Sequence, residues 1–369
     1  MTDTSGFLRV THHVPRVTPF QFMNLAGAMR AITDGEVLTE AQAESAMGDI
    51  MDGSASALHV ATTLGALRMR GESVGEIAGF ARAMRRRMIP VNAASTRLVD
   101  SCGTGGDSAH ANGEKFSTFN VSTAAAFIAA GAGARVAKHG NRAQSSQCGS
   151  ADVLEKLGVK LDFSPEQIAR CIDDIGLGFM FAPAHHPAMK NVAPIRRELG
   201  ISIVFNLLGP LCNPARAEFQ MLGVSDLRWL RPIAEVLRNL GTRGALIAHS
   251  EDGLDEFSTA APTHYLHLKN GELHSDVLYP EELQIAPPIS QALRGGDAAC
   301  NAKIIEAILR GEDGAPSDLA CLNAAAVLIA SENAADFRDG LQQARAAVQS
   351  GAALEKLERL REYSRETTS

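Results

Sequence analysis

The 369-residue chain contains no apolar run near the ~20 residues that a membrane-spanning helix needs, so no membrane partner is expected. It has no C-x-x-C pair. Its six cysteines stand apart at 102, 148, 171, 212, 300 and 321, which argues against a disulfide framework or a cysteine zinc site and reads as reduced thiols in a cytoplasmic protein. Nor is there an excess of positive charge: 35 Lys and Arg against 42 Asp and Glu give a net −7. A nucleic-acid partner is not expected, because such proteins carry a basic face. Residues 1–19 are polar, with no apolar core ahead of a small-residue cleavage site, so no signal peptide is read there. Internal repeats and low-complexity tracts are also missing.

What remains is an ordinary globular composition, 45% hydrophobic and 21% charged, on a chain long for one core. One small and one large domain are therefore expected. Residues 1–18 read as a tail. Residues 19–88 are helical in pattern, with capping-box spacing at Thr39 to Gln42 and Ser73 to Glu76. Ser54 after Gly53 reads as another N-cap and Gly71 as a helix end. Arg82, Arg85, Arg86 and Arg87 fall at a helix C-terminus, where they favour the dipole.

The grammar changes near Thr96. A strand at 98–102, a glycine loop, a small-residue helix from about 122 to 132, a strand at 134–137 and a helix at 151–157 follow one another. This is the βαβ order of a parallel sheet. Further strands are expected at 220–224 and 245–249. Asn270-Gly271 predicts a hairpin between 265–268 and 273–275. Helices are expected at 301–309 and 319–329, and the charged stretch 354–366 reads as a solvated helix.

Four polar segments interrupt this pattern. Gly103-Thr104-Gly105-Gly106-Asp107 follows the first strand, and Asn120-Val121-Ser122-Thr123 opens the next helix. Glycines let a backbone approach a ligand closely, and a helix N-terminus favours an anion, so the two together make a pyrophosphate cradle. Alone, the glycines would read as a plain turn. No Gly-Lys-Ser/Thr follows, so this is not a P-loop, and no x-x-Gly follows, so it is not a dinucleotide fingerprint. Lys138-His139-Gly140-Asn141-Arg142, with Ser145 and Ser146 beyond, falls at the end of the second strand, the edge where parallel sheets bind ligands. Asp252-Gly253-Leu254-Asp255-Glu256 offers adjacent carboxylates of the kind Mg²⁺ uses together with phosphate oxygens and water; standing alone it would read as a solvated acidic turn. The fourth segment carries His185-His186 and Arg196-Arg197, then Phe205-Asn206 and Leu211-Cys212-Asn213-Pro214. The histidine spacing does not favour zinc, and an arginine here could fork onto a carboxylate. Cys102 and Cys148 lie beside these motifs and read as small packing residues.

These segments in this order resemble the anthranilate phosphoribosyltransferase family, from about residue 27 to 331. The late Gly295-Gly296-Asp297-Ala298 belongs to the same match. The resemblance implies an α/β fold: a small all-helical domain plus a large α/β domain with a mostly parallel central sheet, the active site in the hinge cleft. In this sequence that means a helical domain at 19–93, joined by part of about 190–200, and a donor-binding domain at 94–369, usually in a homodimer. It implies transfer of the phosphoribosyl group of phosphoribosyl pyrophosphate to the amine of anthranilate, with Mg²⁺, in tryptophan biosynthesis. Gly103, Thr104, Gly105, Gly106, Asp107, Asn120, Ser122, Thr123, Lys138 and Ser146 match donor-binding positions. Ser122, Asp255 and Glu256 match the metal positions. Gly103, His139, Asn141, His186 and Arg196 match the anthranilate path, with Arg196 facing the carboxylate. No residue is implied as a general acid or base: catalysis would rest on positioning and charge.

The chain departs from the family pattern where residues 108–118 lengthen the loop after Asp107, as a lid, an inert bulge or a mark of altered activity. Gln147 also stands where lysine is common, and Ser202 where arginine is frequent. Two other readings are a pyrimidine nucleoside phosphorylase, faintly echoed by Lys115-Phe116-Ser117, and a non-catalytic nucleic-acid-binding paralogue. Asp255-Glu256 would be unexplained by the first, and that intact pair and the negative net charge oppose the second.

Overall fold

The computed structural model describes residues 23–105, 109–111, 114–143, 147–288 and 290–366; the expected tail at 1–18 lies outside the described residues. Four helices come first: α1 (Leu25–Thr33), α2 (Glu40–Met51), α3 (Ala57–Arg70) and α4 (Val74–Arg87). Both capping boxes form, Thr39 with Gln42 and Ser73 with Glu76. The cap of α3 is Ser56, which accepts from the His59 N–H, and not Ser54 as expected. The N–H and hydroxyl of Ser54 are spent on the Asp49 carbonyl, closing the end of α2. Gly71 ends α3, as its position predicts. The basic run on α4 does more than face the dipole. Arg86 and Arg87 reach across to Glu44 and Asp52 at 2.9 and 2.6 Å, contacts that at the surface add little stability. Inside the bundle the wholly buried Glu76 accepts from Arg70 at 2.6 Å and from the Leu38 and Ser73 amides.

The α/β part runs β1 (Leu98–Gly103), a hairpin of β2 (Ala109–Ala111) and β3 (Glu114–Phe116), α5 (Val121–Gly131), β4 (Arg135–Gly140), α6 (Ser150–Lys156), α7 (Pro165–Arg170) and β5 (Leu177–Phe181). Short helices α8 (Ala182–His185), α9 (Ala193–Leu199) and α10 (Phe205–Leu208) lead to β6 (Phe219–Gly223), α11 (Leu230–Asn239) and β7 (Gly244–Ser250). β8 (Thr263–Lys269) and β9 (Glu272–Leu278) precede α12 (Ala298–Leu309), α13 (Ala315–Ala330), α14 (Phe337–Gln349) and α15 (Ala352–Glu366). Strand order is β5-β4-β1-β6-β7-β8-β9. The first five are parallel, and β8 and β9 close one edge antiparallel around Asn270-Gly271, both at positive φ.

Alternate residues of the central strands feed two cores, as a pleated strand requires. Met221, Leu246 and Ala248 pack with α5, α13, α14 and α15. Leu222, Ala245 and Ile247 pack with α11 and the first four helices. α5 is apolar on every side because it is covered on every side, from Ala124 to Ala130. The last helix is not simply solvated. Ala353, Leu357 and Leu360 form a buried stripe at helical spacing, which the density of charge around it hides from a reading by composition. The short helices join the second core, α9 against α3 and α10 against α4.

α2 and α4 meet where α4 carries glycine. A Cβ on Gly79 would stand 2.3 Å from the Glu40 carbonyl oxygen and 2.9 Å from the Ala43 Cβ. Gly79→Ala is expected to lower unfolding stability by about 1–3 kcal/mol, read as a lower urea midpoint; an unchanged midpoint would show that the helices yield at no cost.

Candidate active site

β1, β4 and β6 are neighbours that end at one edge, so their following loops converge. The glycine loop is pinned there: the Thr104 N–H donates to the Gly223 carbonyl at 2.9 Å, and the Thr104 hydroxyl accepts from the Ser225 N–H at 3.1 Å. The Gly105 N–H donates to Asp255 Oδ2 at 3.0 Å. Asp255 comes so close that a Cβ on Gly103 would lie 2.1 Å from its Oδ2, and one on Gly223 would lie 1.5 Å from its carbonyl oxygen. Glycine at both strand ends is what admits the acidic pair, and Asp255 and Glu256 are 6% and 9% exposed.

α5 begins beside this loop with no side-chain cap. The Asn120 amide, in capping position, is drawn aside. It donates to the Cys148 carbonyl at 3.1 Å and accepts from Asn301 at 3.0 Å. The dipole end of α5 therefore faces the cleft. Lys138, 3% exposed, projects from β4 and donates to the Ser101 carbonyl and to Ser122 Oγ, the latter at 3.2 Å. Burial lowers its pKa, and the nearby Asp100, Cys102 and Glu256 oppose that shift.

Beyond Lys138 the cleft turns aromatic and neutral. The His139 ring lies 5.1 Å from that of His186. Burial, then the neighbouring histidines, hold His139 well below the ordinary histidine value. Burial and His185 push His186 down to about 4. Arg196 on α9 stacks over Phe205 at 5.5 Å, its pKa lowered by burial. Asn141 carries the start of α6, its carbonyl accepting from the Ala151 N–H at 3.1 Å.

One cleft of about 410 Å³ takes in Gly103, Thr104, Gly105, Asn120, Ser122, Lys138, His139, Asn141, Arg196, Asp255 and Glu256. Two expected residues stand off its wall. Thr123, 1% exposed, has a buried hydroxyl without a hydrogen-bond partner, and His186 backs onto His139. Gly106, Asp107 and Ser146 lie outside the described residues, as does part of the lengthened loop. The described pieces of that loop form the β2–β3 hairpin, which leads into Ser117 and Thr118 on the cleft wall. Sequence reasoning missed Asp100, Asn213, Gln220 and Asn301, which support the site from behind. Asp100 left a signal as an acid inside a mostly apolar strand, and Asn213 as a member of the fourth polar segment.

Proteins of known identity share this arrangement. The chain matches the helical bundle domain of a glycosyl transferase family over residues 27–88 and the a/b domain of that family over residues 95–354. It is 48% identical to the anthranilate phosphoribosyltransferase of Symbiobacterium thermophilum, over 91% of this chain and 96% of that one. It is 52% identical to that of Roseiflexus sp. (strain RS-1), over 90% and 96%. The crystal structure of the Thermus thermophilus anthranilate phosphoribosyltransferase superposes with a TM-score of 0.84 at 42% identity, covering 92% of this chain and 99% of that one. The Saccharomyces cerevisiae enzyme in complex with PRPP and Mg gives 0.83 at 26% identity, covering 93% and 98%.

The histidine pair makes folding sensitive to acid. His186 is neutral in the fold down to about pH 4, whereas unfolded histidine takes up its proton near pH 6.5. The unfolded state therefore binds more protons between those limits. Stability is full above about pH 6.5 and falls toward pH 4, by on the order of 3 kcal/mol for this residue. His186→Asn is expected to flatten that slope in denaturant titrations at pH 7, 6 and 5; an identical slope would remove His186 as its source.

Proposed function

The chain belongs to the anthranilate phosphoribosyltransferase family, and from that footing we propose a division of labour across its cleft. The enzyme transfers the phosphoribosyl group of phosphoribosyl pyrophosphate to the amine of anthranilate, giving N-(5-phosphoribosyl)anthranilate and pyrophosphate, a step of tryptophan biosynthesis. The observation that carries the assignment of roles is the meeting of the glycine loop, Lys138 and the Asp255-Glu256 pair at one sheet edge.

On the donor side, Gly103, Thr104 and Gly105 present backbone to the pyrophosphate, and Asn120, Ser122 and Lys138 surround the N-terminus of α5. Gly106, Asp107, Thr123 and Ser146 join them in this reading by their place in the motifs. Ser122, Asp255 and Glu256 suit Mg²⁺: all are oxygen donors, and the two carboxylates are buried together at the cleft. Among the described residues no cluster of three or more His, Cys, Asp or Glu could cage a metal, which fits an ion that completes its shell with phosphate and water. Bound there, Mg²⁺ would neutralise charge growing on the leaving pyrophosphate.

On the acceptor side, His139, Asn141 and Arg196 line the path, with His186 behind, and Arg196 faces the anthranilate carboxylate. As pyrophosphate leaves, positive charge grows on the ribose and negative charge on the leaving group; Lys138 and the α5 dipole stabilise the second. The aniline nitrogen attacks with its own lone pair and loses its proton afterwards. Neutral, buried histidines suit that course, since they add no charge beside the ribose and no strong base is required. Holding both substrates in line does the rest.

A homodimer goes with this reading. Leu58 and Met69 are 74% and 87% exposed and lie on one side of α3, about three turns apart. A cytoplasmic location also goes with it, supported by six cysteines that form no disulfide among the described residues.

Anthranilate fluorescence is expected to fall only when phosphoribosyl pyrophosphate and Mg²⁺ are both supplied; steady fluorescence with folded enzyme would overturn the reading. Asp255→Asn together with Glu256→Gln should cost at least about 100-fold in kcat/KM, and retained turnover would remove the pair from the metal site. Arg196→Ala is expected to raise the KM for anthranilate by roughly 10–100-fold while leaving that for the donor alone.

A further inference from the structure

Asp100 is a wholly buried carboxylate in β1 that no substrate reaches, and its side-chain oxygens meet donors. Its Oδ1 accepts from the His139 N–H at 3.0 Å. Its Oδ2 accepts from Asn213 Nδ2 at 2.8 Å and from the Cys102 thiol at 3.7 Å. Asn213, 5% exposed, also donates to the Ala137 carbonyl at 2.8 Å, and its Oδ1 accepts from the Ala215 N–H at 2.9 Å. The two side chains lock the stretch from Gly209 to Pro214 against the ends of β1 and β4.

That stretch is tied along its length. The Gly209 backbone lies beside the His139 ring, and the Cys212 backbone lies beside the His186 ring. Gln220 donates to the Pro210 carbonyl at 2.7 Å. Arg85 of α4 donates to the Leu211 carbonyl at 2.7 Å. Pro214 accepts from the Val91 N–H at 3.0 Å. The His139 and His186 rings therefore sit against a segment that Asn213 holds to β1 and β4 and Gln220 holds to β6, and Asp100 also grips the His139 main chain directly.

We propose that Asp100 and Asn213 are a positioning pair that sets His139 and His186, and with them the acceptor half of the cleft, relative to the donor loop. The proposal rests on the phosphoribosyl transfer assigned above. Neither residue touches a substrate; the pair acts through the histidines, so its loss falls on anthranilate before it falls on the donor.

The test is an exchange. Asp100→Asn leaves amide donors facing one another, and Asn213→Asp leaves two carboxylates facing one another. In the double variant the amide and the carboxylate trade places, so one donor again faces one acceptor between them, while the bond from position 213 to the Ala137 carbonyl stays lost. Each single change is expected to raise the KM for anthranilate by about tenfold, the size of ordinary coupling between hydrogen-bonded neighbours. Donor affinity, measured by calorimetry with Mg²⁺ and no anthranilate, should stay near that of the wild type. The double variant should bind anthranilate better than Asn213→Asp alone, because it restores the contact between the two side chains and not the one with Ala137. Equal losses for donor and acceptor, an unmoved anthranilate KM, or a double variant no better than the worse single would each overturn the pair. If the single variants fail to fold by circular dichroism, Asn213→Ala keeps the His139 and Cys102 contacts of Asp100 and carries the same comparison; an unaltered anthranilate KM there overturns it. Calorimetric binding of anthranilate accompanies every variant. An inactive wild type would thus count against the transfer reaction, while the pair would still be judged by affinity.

Discussion

The structure turns on how closely Asp255 lies against two strand ends, by its carboxylate at Gly103 and by its backbone at Gly223. Parallel strands bring their loops to one edge, but side chains ordinarily keep those loops apart. Here β1 and β6 both finish in glycine, and the acidic loop after β7 settles into the vacated space. The approach brings two carboxylates beside backbone N–H groups, one of which already donates to Asp255. Any β-carbon at either glycine would push the acids off the loop. The donor half of the cleft is thus a consequence of absent atoms as much as of present ones.

Charge across the cleft is graded by burial. At one end Lys138 keeps company with Asp100 and Glu256, which offset its desolvation. At the other end burial leaves His139 and His186 uncharged, and Arg196, beyond them, lies over an aromatic face. Such an order suits a reaction that separates charge, with the anionic group leaving toward Lys138 and the amine arriving past the uncharged histidines. The helices enter this logic through the Gly209–Pro214 stretch, where α4 and the sheet hold the same few residues.

Much of this was legible in the residues themselves. Capping boxes, the β1–α5–β4 order and the Asn-Gly hairpin rest on local chemistry, and local chemistry survives folding unchanged. The cleft residues were legible because polar clusters at strand ends have no use in a core. What escaped was decided by tertiary contact. Ser54 and Ser56 are equal candidates for a cap until the carbonyl of Asp49 claims one of them. The stripe of Ala353, Leu357 and Leu360 was lost among charges because its partner, α5, lies far away in the chain. Asn213, Gln220 and Asn301 resemble any loop, strand or helix amide until the atoms they face are known.

The lengthened loop before α5 has its own anchorage. On the near side Thr104 is fastened to β6. On the far side Thr118 forms a bridge with Arg294, and the Gly295 N–H donates to the Ser117 carbonyl at 2.9 Å. Chain added between two fixed posts costs only a slowly growing loop entropy. Length between them is therefore cheap to vary in free energy, and a longer connection here leaves the strands and the helix that flank it folded.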